Sequence, residues 1–186
     1  MPGKIRIISG KWRSRKLDVI EAADLRPTPD RVRETLFNWL QPYIEGAHCL
    51  DLYAGSGILG FEALSRGAAD VSLIDSSAAV VKNLQIQASK LEASGLEIIC
   101  ADATQWLSVC RRQFDIIFLD PPYSKNQLGH IISQLLNCAC LHPGTLLYAE
   151  SDQDFSYDDA RLQLLKSSKA GTVHFKLYEY VERQIS

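Results

Sequence analysis

The most specific chemistry in the sequence sits in the tetrapeptide Asp120-Pro121-Pro122-Tyr123. It follows the apolar run Ile116-Ile117-Phe118-Leu119. Two consecutive prolines break any regular element, so they form a rigid loop at the end of that run. Such a loop suits a planar exocyclic amine. That amine shares its lone pair with a ring and is a poor nucleophile, so it needs acceptors to hold its two hydrogens. The Asp120 carboxylate can take one. The Pro121 carbonyl can take the other, because proline loses its donor and keeps its acceptor. Tyr123 can stack on the ring. Catalysis would then be positioning plus acceptor electrostatics, with no strong base required beforehand.

A second constellation lies upstream, in Asp51-Leu52-Tyr53-Ala54-Gly55-Ser56-Gly57-Ile58-Leu59-Gly60. Gly55, Gly57 and Gly60 match G-x-G-x-x-G, a turn that brings bare backbone and a helix N-terminus against a ligand. Asp75 falls 18 residues after Gly57, where a carboxylate can accept both hydroxyls of a ribose. NAD and S-adenosylmethionine sites share this arrangement, so the loop by itself leaves both open. Asp51 favours S-adenosylmethionine, since its carboxylate would lie near an amino cation that NAD lacks. Asp102 fits as an acceptor for an adenine amine beside Ala103, and fits equally as a helix N-cap.

These groups need a sheet edge to stand on. Short apolar runs alternate with helical patterns, the signature of an α/β fold. Strands are expected at Cys49–Tyr53, Val71–Asp75, Leu96–Ala101, Asp115–Asp120 and Thr145–Glu150. The continuous apolarity of Ile116–Leu119 predicts a parallel strand covered on both faces. Val80, Val81, Leu84, Ala88 and Leu91 share one helical face, as do Leu128, Ile131, Ile132, Leu135 and Leu136. An earlier helix, with Val32, Leu36, Phe37 and Leu40 inward, is expected to open with Thr28 as N-cap and Pro29 at its first position. Gln163–Ser167 and Thr172–Val181, joined through Lys169-Ala170-Gly171, are too close for a crossover and should pair antiparallel.

Charge divides the chain. The 186 residues carry 20 Lys+Arg and 22 Asp+Glu, a net −2 that excludes a uniformly basic binder. Residues 1–16 nevertheless hold Lys4, Arg6, Lys11, Arg13, Arg15 and Lys16 and no acid. A basic arm (1–25) on an acidic body (26–186) follows. Ile5, Ile7 and Ile8 before Ser9-Gly10, with Leu17 and Val19 after, suggest that the arm is a hairpin. Its cations suit phosphates, and Trp12 could stack on a base or dock on the body. Arg26, Thr28, Arg31 and Arg33 gather at a helix start; they fit a solvated helix end, but cations there oppose the macrodipole, which points to cofactor closure or phosphate contact. No run is long enough for a membrane span, and no signal-peptide core follows the basic start. The five cysteines, with no C-x-x-C pair, read as reduced thiols in a cytoplasmic protein. Cys138 and Cys140 lack the further ligands a metal needs.

Together the motifs resemble the Rossmann-like (class I) S-adenosylmethionine-dependent methyltransferases. More closely, the chain resembles the bacterial 16S rRNA guanine-N2 methyltransferases of the RsmD type. The resemblance runs through Arg6–Arg13, Arg26-Pro27-Thr28, Asp30–Leu40, Asp51–Gly60, Glu62–Ala68 and Asp120–Tyr123. Tyr53 stands where that family usually has Phe, Asp75 where Glu is common, and Ser9 at a glycine position of the arm turn.

The resemblance implies a seven-stranded sheet of order 3-2-1-4-5-7-6, counted from the first strand after the arm, with strand 7 antiparallel. It implies methyl transfer to N2 of guanine 966 of 16S rRNA, on the small subunit or an assembly intermediate, by a monomer without metal or membrane. It places the cofactor on Asp51, Tyr53, Gly55, Ser56, Gly57, Asp75, Asp102 and Ala103, and the guanine on Asp120, Pro121, Pro122 and Tyr123. RNA would meet Arg6, Lys11, Trp12, Arg13, Arg15, Lys16 and Arg31. The tetrapeptide also admits another planar amine, DNA adenine N6 or a protein glutamine. An NAD oxidoreductase would leave the tetrapeptide and arm unused. A non-catalytic RNA-binding module would not need Asp51, Gly55, Gly57 and Asp120 intact.

Overall fold

The computed structural model describes residues 3–19, 28–122 and 127–182. Arg26 and Tyr123 lie outside them. The arm is a two-stranded antiparallel hairpin, β1 (Gly3–Arg6) and β2 (Lys16–Val19), with Ile5 opposite Leu17. Then follow α1 (Asp30–Leu40), β3 (His48–Asp51), α2 (Ile58–Ser65), β4 (Asp70–Asp75), α3 (Ala78–Lys90), β5 (Leu96–Cys100) and α4 (Ala103–Val109). The chain continues through β6 (Ile116–Leu119), α5 (Gln127–Leu135), β7 (Leu146–Ser151), β8 (Leu162–Ala170) and β9 (Val173–Tyr180).

Seven strands form one sheet in the order β5-β4-β3-β6-β7-β9-β8. Counted from β3, this is the expected 3-2-1-4-5-7-6. The pairs from β5 to β7 are parallel, and β9 runs antiparallel to both β7 and β8. The final hairpin is tighter than its sequence suggests: β8 continues through Lys169 and Ala170, and the turn narrows to Gly171-Thr172.

The sheet separates two apolar layers, and β6 shows why its sequence is continuously apolar. All four of its residues are buried. Ile116 and Phe118 enter one layer with the hairpin, α1 and α2, while Ile117 and Leu119 enter the other with α4 and α5. Alternate residues of a strand face opposite sides, so a doubly covered strand has no polar face.

The arm docks on the first layer. Ile5, Ile7, Leu17 and Val19 are buried in it. Gly10, with φ +81°, lies so close to α2 that a Cβ there would fall 1.7 Å from the Ser65 carbonyl oxygen, so only glycine allows this approach. Trp12 is drawn in as well. The residue is 8% exposed, and its ring meets Phe61 edge-on at 6.3 Å. Stacking of Trp12 on a base is therefore corrected: the apolar area of the indole is already used against the body.

The start of α1 also differs from expectation. Pro29 is the N-cap, Asp30 is the first helical residue, and Pro29 supplies no side-chain cap. Thr28 is buried, and its side chain hydrogen-bonds Glu150 on β7 instead of the helix N-terminus. Arg33 is fully buried, donating to the carbonyls of Thr28 (3.3 Å) and Arg6 (2.9 Å) and pairing with Asp30 at 2.5 Å and Glu62 at 3.6 Å. It is a structural clamp, unavailable to phosphate. Among the described residues, no helix is long and apolar enough to cross a membrane.

Candidate active site

Parallel strands deliver their carboxyl ends to one edge of the sheet, where open α/β folds bind ligands. Here four of the five parallel strands carry an acid at that end: Asp51 closes β3, Asp75 closes β4, Asp120 follows β6, and Glu150 is the penultimate residue of β7. Pairing of Asp51 with Phe118, and of Leu119 with Ala149, carries Asp120 and Glu150 forward together, one residue further along neighbouring strands.

Two clefts open along this edge. The first, about 280 Å³, is lined by Asp51, Tyr53, Gly55, Ser56, Asp75, Asp102, Ala103, Asp120, Pro121 and Pro122. All but one of the described residues predicted for cofactor or target therefore line one cavity. The exception is Gly57, which caps α2 in the left-handed conformation (φ 73°), where a Cβ would meet Leu84 at 2.4 Å. Its role is to turn β3 into α2. Ser56 accepts a long bond from the Ile58 N–H (3.4 Å), which helps hold that turn.

Hydrogen bonds fix the acids. Asp75 accepts from the Gly55 N–H at 2.9 Å and the Ser77 N–H at 2.8 Å, tying the glycine loop to β4. Asp102 accepts from the N–H groups of Thr104 and Gln105, both at 3.0 Å, so it is the N-cap of α4 while also facing the cleft. The Thr104 side chain is the first cause holding its carboxyl below the usual range. Tyr53 is half-buried, and burial pushes its phenol up to about 12.

Asp51 is 2% exposed and, among the described residues, accepts only a long bond, 3.3 Å, from the Tyr53 N–H. Among the described residues it has no ion-pair partner. Burial pushes its carboxyl up to about 7. A buried carboxylate short of donors is a receptor for a cation. Asp120 is half-buried, and burial, then the charges of Glu150 and Asp51, raises its proton affinity well above the usual carboxylate range.

The second cleft, about 520 Å³, shares Pro121 and Pro122 with the first. Glu150 lies in its wall, beside Phe155 and Tyr157. Glu150 was not singled out in the sequence. The signal was available, because Leu146–Ala149 is an apolar run ending in an acid, as are the runs before Asp51, Asp75 and Asp120. Thr28, read as a helix cap, also lines the first cleft.

The basic residues lie apart from these clefts' described walls. Arg6, Lys11, Arg13, Arg15, Lys16 and Arg31 are exposed. Arg6 pairs with Asp30 at 3.4 Å, and Arg15 donates to the Lys90 carbonyl at 3.0 Å. Lys11 lies over the Trp12 ring at 4.2 Å.

A sheet in this strand order, with its ligand clefts at the carboxyl edge, defines a Rossmann-like methyltransferase. Within that class, the chain belongs to the family described as conserved hypothetical protein 95, whose model matches residues 5–179. It is 42% identical over 182 residues to ribosomal RNA small subunit methyltransferase D of Haemophilus influenzae, covering 95% of this chain and 94% of the relative. The protein of the same description from Escherichia coli K12 is 42% identical over 179 residues, covering 95% and 90%. A solved Escherichia coli chain, yhhF, described as a candidate methyltransferase, is 41% identical with a TM-score of 0.88, covering 97% of this chain and 100% of that one.

Proposed function

We propose that the chain transfers a methyl group from S-adenosylmethionine to the exocyclic N2 of a guanine in small-subunit ribosomal RNA, at position 966 as the family resemblance implies. One observation carries the reading: the Asp120-Pro121-Pro122 corner walls the same cleft that holds Asp51, a buried carboxylate with no cation beside it among the described residues. That cleft fits S-adenosylmethionine. Asp51 would receive its ammonium, Asp75 the ribose hydroxyls, and Asp102 with Ala103 the adenine, while Gly55 and Ser56 leave backbone room. When bound, S-adenosylmethionine supplies a methyl on a positively charged sulfur, which needs no further activation.

The work of the chain is to present the amine. Asp120 accepts one N2 hydrogen and the Pro121 carbonyl the other, and the proline pair fixes both acceptors. N2 becomes cationic as it forms its new bond, and it loses a proton. Asp120, with its proton affinity raised by burial and two neighbouring carboxylates, is suited to take that proton. Tyr123 adjoins this corner in sequence and is assigned the ring face. Exposed Arg6, Lys11, Arg13, Arg15, Lys16 and Arg31 would meet RNA phosphates. Arg6 brings the arm to Asp30, two residues from Thr28 in the cleft wall.

DNA adenine N6 and glutamine amides present similar amines. The relatives' description as ribosomal RNA methyltransferases favours RNA. NAD would leave Asp51 without a cation. The test is transfer of labelled methyl from S-adenosylmethionine to small subunits isolated from cells lacking the enzyme. Label is expected in 16S RNA, and label confined to DNA or protein would contradict the proposal.

A further inference from the structure

The second cleft holds a group that the mechanism above uses only through its charge on Asp120. Glu150 is 2% exposed yet lies in the cleft wall, on the other side of Pro121 and Pro122 from Asp51. The Tyr148 hydroxyl donates to its Oε2 at 2.8 Å, and the Thr28 side chain hydrogen-bonds it. Those contacts, from its own strand and from the start of α1, hold the carboxylate in one place. The register between β6 and β7 sets it beside Asp120, on strands about 4.8 Å apart.

The lining of this cleft selects its guest. Its described residues include Glu150, Asp152 and Asp154 and no Lys, Arg or His. Asp154 is paired with Lys176 at 3.0 Å, which leaves Glu150 and Asp152 as the acids that favour a donor-rich edge of a base. Phe155 and Tyr157 add aromatic walls, the usual partners of an unstacked base. Of the four standard bases, guanine alone places a ring N1–H directly beside an exocyclic N2 amine. With the amine held by Asp120, one of the two in-plane orientations of the base turns that N1–H toward Glu150 on the neighbouring strand, and the other turns the bare N3 there.

We propose that Glu150 accepts the N1–H of the target guanine and thereby selects guanine over purines whose N1 carries no hydrogen. The inference rests on guanine N2 being the methyl acceptor. Burial raises the proton affinity of Glu150 against the opposing hydrogen bonds of Tyr148 and Thr28, and the N1–H would add one more donor to a carboxylate with lone pairs to spare.

The test compares small subunits reconstituted with 16S RNA carrying either guanine or 2,6-diaminopurine at the target position. Diaminopurine keeps the 2-amine and presents a bare N1. The wild-type enzyme should prefer guanine in kcat/KM by roughly 100-fold, the scale of one charge-assisted hydrogen bond replaced by facing lone pairs. Glu150→Gln keeps the shape and can turn an N–H toward N1, so it should lower that ratio about tenfold or more. A residue that only supports the fold would lower both rates and leave the ratio unchanged.

Equal use of both purines by the wild type overturns the inference without recourse to any variant. An unchanged ratio in Glu150→Gln overturns it as well. Absence of methylation on guanine subunits would instead overturn the proposed function, and the inference with it.

Discussion

Glu62 and Arg33 bury opposite charges against each other, 3.6 Å apart, with both side chains sealed from solvent. Glu62 also accepts the N–H groups of Ile8 at 2.7 Å and Ser9 at 3.0 Å and pairs with Arg66 at 2.7 Å. One carboxylate in α2 thus fastens the arm, α1 and the end of its own helix. Glu62→Ala leaves a buried guanidinium short of a partner and two arm N–H groups without acceptors. A loss of about 3–5 kcal/mol is expected by chemical denaturation, the range for breaking a buried pair. A loss within the surface range, below about 0.5 kcal/mol, would show that the pair contributes little.

Asp51 gives the cofactor cleft a pH dependence. Its folded pKa, about 7, lies above the unfolded value near 3.8. The fold therefore binds a proton more tightly, and this contribution to stability is present below the unfolded value and lost as pH rises through about 7. A cationic ligand has the opposite preference, for the ionised carboxylate. S-adenosylmethionine affinity should rise about tenfold per pH unit below 7 and level off above it. Calorimetry across this range checks the slope, and Asp51→Asn should flatten it. A wild-type affinity that does not change with pH would count against a role for Asp51 at the ammonium.

The arm predicts a salt effect. Replacing Arg13, Arg15 and Lys16 with Ala should weaken binding to small-subunit RNA and lower the slope of log affinity against log salt by about two to three. The inward face of the hairpin is untouched and only the exposed Arg15 bond to the Lys90 carbonyl is lost, so the stability should change by no more than the surface range of about 0.5 kcal/mol. A slope equal to wild type would exclude phosphate contacts at these positions.

Much of this arrangement was legible in the sequence because burial writes itself into residue pattern. Ile116–Leu119 read as a doubly covered strand, and the acids Asp51, Asp75 and Asp120 after such runs marked the functional edge. What escaped the sequence depended on contacts between distant segments. Thr28 looked like a helix cap because nothing local reveals its contact with Glu150, far along the chain on β7. Trp12 sits among cations, as a base-stacking residue would, yet Phe61 lies 49 positions away in the chain and claims the ring. Arg33 lies in a run of charges whose exposed members, Arg31 and Glu34, disguise one buried clamp.

The central claim is that Asp120 presents the N2 of one guanine for methylation. Its most direct test is nucleoside mass spectrometry of 16S RNA from small subunits of an enzyme-lacking strain, after incubation with S-adenosylmethionine and either the wild type or Asp120→Ala. The wild type should yield N2-methylguanosine at a single position. Asp120→Ala should slow its formation by about 10²–10³, the cost of removing one aimed electrostatic group, while still binding S-adenosylmethionine. Methylation at another atom or base, or an undiminished rate in Asp120→Ala, would contradict the account.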